Sequence, residues 1–180
     1  IAYRRNERNL GLLGNWHECI RRAKGEWVHL LHQDDVVRPD YYRRMAEGLR
    51  RFPQAGMGFC RPSHIDENSR VIFEYWKECE QPGLLGNWLI SITRRLGVQF
   101  ACIVVKREVY AALGGYCQQA DHASDWEMWI RIAAHYPVYY DPQIMAAFRV
   151  HNQSASGKAS AASKNIDDSR LEAVGKGDKE

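Results

Sequence analysis

Leu30–Asp40 reads LLHQDDVVRPD, and the placement of its two acids decides the fold. The apolar run Trp27-Val28-His29-Leu30-Leu31 leads into it, and such a run suits a strand buried on both faces of a parallel sheet. Pro39 and Asp40 then open a helix with Tyr42, Met45 and Leu49 at apolar positions, and Phe52-Pro53 ends it. Asp34 and Asp35 therefore fall in a strand-to-helix turn, where two readings stay open. Aspartate is favoured in turns because its side chain bonds nearby amides. Ligands of open α/β sheets, however, gather beyond the carboxyl ends of strands. There a hard cation such as Mg²⁺ or Mn²⁺ takes one or two protein carboxylates while substrate phosphates complete its shell.

Toward the N-terminus, Leu13, Trp16, Ile20 and Ala23 recur at helical spacing over Leu12–Ala23, Gly25 supplies a stop, and Ile1-Ala2-Tyr3 reads as the start of a strand. Toward the C-terminus, Met57–Cys60 and Val71–Tyr75 read as strands around a turn at Asp66–Ser69. Leu84–Leu96 then reads as a helix, Val98–Val105 as a strand, Arg107–Leu113 as a short helix, Gly114-Gly115 as a turn and Ser124–His135 as a helix. Alternation of this kind predicts an α/β sheet with right-handed crossovers. After Phe148 the composition shifts to Ser, Ala, Gly and Lys, which divides the chain into a domain over residues 1–152 and a flexible or weakly helical tail over 153–180.

Composition narrows the function classes. A chain of 180 residues, 45% hydrophobic, 26% charged and 11% aromatic, fits one globular domain with a real core. No apolar run approaches bilayer-spanning length. Five cysteines without a CxxC pair read as free thiols of a reducing cytoplasm, and nothing at the start resembles a signal peptide. A net charge of +3 is too small to argue for nucleic acid. The stretch Gly83–Gly97, with Trp88 and Arg94-Arg95, is expected either to pack on the sheet or over the acceptor site, or to touch the inner face of a membrane.

Two further stretches hold candidate chemistry. In HASDWEMWIRI (His122–Ile132), Ser124 and Glu127 have capping-box spacing. Asp125 is then left either to complement the helix dipole or to act as a general base, with a basicity that the dipole lowers. In FRVHNQS (Phe148–Ser154), a histidine beyond a strand is usually an ordinary polar residue. Beside a carboxylate-bound metal, His151 would add a nitrogen ligand and Arg149 would hold a phosphate oxygen.

Together these stretches resemble the family 2 glycosyltransferases over Asn9 to about Ser154. Asn9-Leu10-Gly11 and Gly14-Asn15 look like the segment before the metal motif, and His32-Gln33-Asp34, followed by Asp35, occupies the place of D-x-D. Leu113-Gly114-Gly115-Tyr116 is similar to the LGGF turn, Asp125 matches the second acid of the "ED" motif, and Arg149-Val150-His151 with Ser154 is similar to R-x-H-x-x-S. The resemblance implies a GT-A, Rossmann-like α/β/α sandwich with a mixed sheet, lacking the family's first βα unit before Ile1. It implies inverting transfer of a hexosyl group from a nucleotide-diphosphate sugar, assisted by Mg²⁺ or Mn²⁺, to a saccharide, lipid-linked or protein acceptor, as in polysaccharide biosynthesis. Asp125 would be the catalytic base, and Asp34 with His151 would hold the metal. Asn9, Gly11, Asn15, His32, Asp35 and Arg149 would face the donor; Gly114, Gly115, Trp126 and Glu127 would lie on the acceptor side. His32 departs from the pattern, standing where the family carries an acid. A non-catalytic nucleotide-sugar-binding module and a metal-dependent phosphoesterase are the alternative readings.

Overall fold

The computed structural model describes residues 2–151, so the tail expected over 153–180 lies outside the described residues. Its elements are α1 (Gly11–Arg22), β1 (Trp27–Val28), β2 (Val36–Val37), α2 (Tyr41–Arg51), β3 (Met57–Ile65), β4 (Val71–Glu74), β5 (Gly83–Leu84), α3 (Trp88–Arg94), β6 (Ile103–Lys106), α4 (Arg107–Leu113), α5 (Ser124–His135) and β7 (Val138–Arg149). β3 and β7 run parallel at the centre, and every other pairing is antiparallel. Two short strands follow one another along the outer side of each: β6 then β4 on β3, β5 then β2 on β7.

Alternation along the strands sends successive side chains to two cores. Phe59, Ile103, Val105 and Tyr140 join Trp16 of α1, Trp88 and Ile92 of α3, Val109 of α4 and Trp129 of α5 on one face. Cys60, Val104, Tyr139 and Met145 meet Tyr41, Met45 and Leu49 of α2 on the other. The result is the expected α/β/α sandwich around a mixed sheet. α2 lies close because Gly48 leaves room for Tyr139, whose ring would stand 2.2 Å from a Cβ there. The buried Asp141 of β7 accepts a 2.8 Å bond from Arg44 of α2.

Several local expectations are corrected. Ala2 and Tyr3 form no strand; Tyr3 is 83% exposed. The run Trp27–Leu31 is not a strand buried within a parallel sheet. Only Trp27 and Val28 pair, antiparallel to Lys106 and Val105, at the edge of the sheet, while His29–Leu31 leave the ladder as a loop in which Leu30 packs against the core and Leu31 is exposed. Phe100–Cys102 is a 3-10 turn before β6 rather than strand, and Leu84 belongs to β5 rather than to α3. The capping box does not form either. Ser124 Oγ donates to Cys117 O and Asp121 O, and Glu127 turns to Arg131. All five cysteines are free thiols.

Candidate active site

Pairing of Val36 and Val37 with Ala147 and Ala146 lays the acid turn beside the end of β7. That register brings residue 34 to residue 151. Asp34 Oδ2 lies 3.0 Å from His151 Nε2, both side chains partly exposed. A carboxylate oxygen and an imidazole nitrogen facing each other suit a divalent ion, Mn²⁺ better than Mg²⁺ because of the nitrogen. Among the described residues no group of three His, Cys, Asp or Glu side chains could hold a metal. The protein would supply two ligands, and the rest of the shell would come from the ligand's own oxygens.

Arg149 lies between the acids and the β3–β4 turn. Its Nε donates to Asp34 O (2.9 Å), its Nη1 to Asp66 O (2.6 Å) and Glu67 O (3.3 Å), and its Nη2 to Ser69 Oγ (3.1 Å). Every guanidinium nitrogen thus has a protein acceptor, and the side chain fastens the acid turn to the hairpin. The Arg149 backbone N–H donates to Asp35 Oδ1 at 3.0 Å. Asp35 is buried, and its Oδ2 has no hydrogen-bond partner. Burial pushes its pKa up to about 6; the Arg149 amide opposes that and the Asp34 charge adds to it.

This shift gives a stability prediction with a definite sign. A carboxyl whose folded pKa exceeds its unfolded value costs stability as pH rises from about 4 to 6, where the unfolded chain ionises first. Asp35→Asn keeps the Oδ1 acceptor and removes the ionisation. The melting temperature of Asp35→Asn minus that of the unaltered chain is expected to increase from pH 4 to pH 6 in chelator-containing buffer and then level off. A difference that stays flat with pH would show that Asp35 is not the group responsible.

Asp125 opens α5 and is half-buried. Its Oδ1 accepts the Trp126 N–H at 2.7 Å. Burial raises its pKa above the ordinary carboxyl value, and that outweighs the backbone bonds that lower it. The expectation that the helix dipole sets its basicity is therefore corrected: desolvation wins, because it penalises the ionised form directly. Asp125 is also close enough to Tyr116 for its charge to contribute to the raised pKa of that buried phenol, after burial itself and Tyr110.

An aromatic cluster, buried but for a partly exposed His32, links the two ends. The Tyr116 ring lies 5.0 Å from Trp16, and Trp16 stacks on His32 at 5.6 Å. Phe100 touches all three, at 4.5 Å from Trp16, 4.7 Å from His32 and 5.8 Å from Tyr116. The acid turn borders the His32 end, and Asp125 borders the Tyr116 end. His32 is largely buried, which lowers its pKa, and its Nε2 has no partner.

The glycine turn is held by Arg131 and His17, which the sequence reading missed. Gly114 and Gly115 adopt φ of +85° and +73°, open to glycine at little cost. Arg131 donates through Nη1 to Leu113 O and through Nη2 to Gly115 O (2.7 Å), and Glu127 grips the same guanidinium in two 2.7 Å bonds. The Tyr116 N–H and the His17 Nε2 are 3.1 Å apart, which ties α1 to the turn. Glu-x-x-x-Arg at i, i+4 was a legible signal for the first; nothing in the sequence marks His17.

Asn9 Oδ1 accepts the Gly11 N–H at 2.8 Å, Gly11 has φ +70°, and Asn6 donates to Asn15 at 3.1 Å. Arg5, Arg8, Asn9, Gly11 and Asn15 line an open cavity of about 580 Å³ at the start of α1. Trp126 and Glu127 line a second groove of about 380 Å³ with Thr93, Ala123, Ile130 and Arg131. Trp88 is buried and Arg95 lies 3.9 Å over Trp76, so α3 packs inward by Trp88 and Ile92 and leaves Leu89, Ile90 and Arg94 outside. No helix among the described residues is long and apolar enough to cross a membrane.

A sequence profile described as "Glycosyl transferase family 2" matches residues 1–112. The chain is 23% identical over 154 residues to "Uncharacterized glycosyltransferase MJ1057" of Methanocaldococcus jannaschii, covering 85% of this chain and 52% of that protein. It therefore spans about half the length of the relative it matches. Its fold is similar to the crystal structure of S. aureus TarS residues 1–349, with a TM-score of 0.61 at 10% identity, over 80% of this chain and 42% of that one.

Proposed function

From the premise that the chain belongs to glycosyl transferase family 2, we propose that it carries the catalytic half-site for inverting, single-displacement transfer of a hexosyl group from a nucleotide-diphosphate sugar to an acceptor hydroxyl. The observation that supports this most is the aromatic cluster under the site, which runs from His32, beside the Asp34–His151 pair, to Tyr116, beside Asp125.

Asp34 and His151 would hold a Mn²⁺ or Mg²⁺ ion, which when bound would neutralise charge on the leaving diphosphate. Asp125 accepts the proton of the acceptor hydroxyl as its oxygen bonds to the anomeric carbon, and the bond from that carbon to the diphosphate oxygen breaks. Burial raises the basicity of Asp125, which suits it to this step better than an exposed aspartate. His32 stands where the family usually presents an acid, and its Nε2 is buried without a partner, so the donor contact made by that acid is not carried over. Arg149 acts by holding the acid turn rather than by gripping phosphate, since its nitrogens already have acceptors. Trp126 and Glu127 face the acceptor side, which would take a saccharide, a lipid-linked sugar or a protein.

A panel of nucleotide sugars screened by thermal denaturation tests the donor half. The matching donor is expected to raise the melting temperature only when Mn²⁺ or Mg²⁺ is present, because a ligand that binds only the folded state stabilises it. If no nucleotide sugar stabilises the protein, or if stabilisation is unchanged by chelator, the metal-assisted reading is wrong.

A further inference from the structure

β4 is an apolar edge. Val71, Ile72 and Phe73 are 53%, 55% and 47% exposed, and among the described residues β4 pairs with β3 alone. An uncovered apolar edge strand is a template for pairing with another chain. Its flanking charges suggest which chain. Arg70, exposed, precedes the apolar triplet. Glu74 ends the strand half-exposed, its carboxylate 3.3 Å from Arg61.

We propose that the chain forms a two-fold homodimer by docking β4 antiparallel against β4 of a second copy, with Ile72 on the axis. Isologous symmetry requires a self-complementary patch, and this one complies. About Ile72, Arg70 meets the partner's Glu74 at both ends, Val71 meets the partner's Phe73, and Ile72 meets its own copy. Glu74 would then sit between Arg61 of its own chain and the partner's Arg70. Because the pairing of β3 with β4 passes from Ile65↔Val71 to His64↔Phe73, Ile72 is a bulged residue. A bulge disrupts ladder bonding locally, so backbone bonds flank Ile72 rather than include it, its side chain fills the axis, and the dimer is a weak one of small area. This inference is independent of the transferase reading.

Sedimentation velocity of the chain over a concentration series tests it. Concentration-dependent dimerisation is expected, and Arg70→Glu and Glu74→Arg should each weaken it by roughly tenfold, since like charges then oppose one another. Mixed in equal amounts, the two variants should regain association, because one chain carries two acids and the other two bases at the paired positions. The double exchange R70E/E74R should dimerise like the unaltered chain. Circular dichroism confirms that these surface variants fold. A monomer at every concentration, charge variants that associate normally, or a mixture that fails to recover would each overturn the proposal.

Discussion

Asp125→Asn is expected to lower kcat by roughly a hundred- to ten-thousand-fold while the donor binds as before. The substitution is nearly isosteric. Asparagine Oδ1 can still accept the Trp126 N–H that Asp125 accepts at 2.7 Å, so the first turn of α5 keeps its geometry. What is lost is the ability to take a proton, and only the step that transfers one should respond. The base also predicts a pH profile. Its raised pKa means that kcat falls with falling pH at a higher pH than for an exposed aspartate, and the acid limb should vanish in the variant. The measurement is kcat against pH, together with calorimetric donor affinity, for the whole protein. Normal turnover by Asp125→Asn would move the base to another residue.

How much of this was legible in the sequence depended on which force set each feature. A turn at the two acids was readable, but not as the strand-to-helix turn expected: Val36 and Val37 form β2 between the acids and α2, two residues too few to show a pattern. The end of the strand that opens the preceding apolar run was not legible either. His29, Leu30 and Leu31 continue the run, yet they form a loop, since only Trp27 and Val28 of the run pair with β6. Composition cannot tell apolar residues that line a sheet from those that cover it. β7 runs through Asp141-Pro142 and continues to Arg149. The register against β3 slips there, from Cys60↔Asp141 to Arg61↔Ile144, which accommodates the proline. At the candidate site, motif order pointed to Asp34, His151 and Asp125, but the sign of the shift on Asp125 followed from burial, which no local pattern encodes. Arg149 shows the same limit. A guanidinium near two acids suggests phosphate binding, and only the fold reveals the three carbonyls and the serine hydroxyl that surround it.

Asp34→Ala is the companion change, and it separates a metal role from a structural one. Arg149 Nε bonds the Asp34 backbone carbonyl, which alanine retains, so the latch between acid turn and hairpin should survive and the melting temperature without ligand should change little. The carboxylate that faces His151 at 3.0 Å disappears. With one of the two proposed protein ligands removed, Mn²⁺-dependent stabilisation by the nucleotide sugar should be lost. Turnover should fall on the order of a hundred- to a thousand-fold, the size seen when one group stabilising transition-state charge is deleted. His151→Ala should act in the same direction, because the ligands work as a pair, and the double variant should be little worse than Asp34→Ala alone, since effects within one unit are not additive. The contrast with Asp125→Asn is the sharpest part of the expectation: one variant binds donor and fails to turn over, whereas the other fails at metal-dependent binding. Persistent Mn²⁺-dependent stabilisation in Asp34→Ala would place the ion elsewhere, and the pairing of residues 34 and 151 would then be an ordinary hydrogen bond closing the end of the sheet.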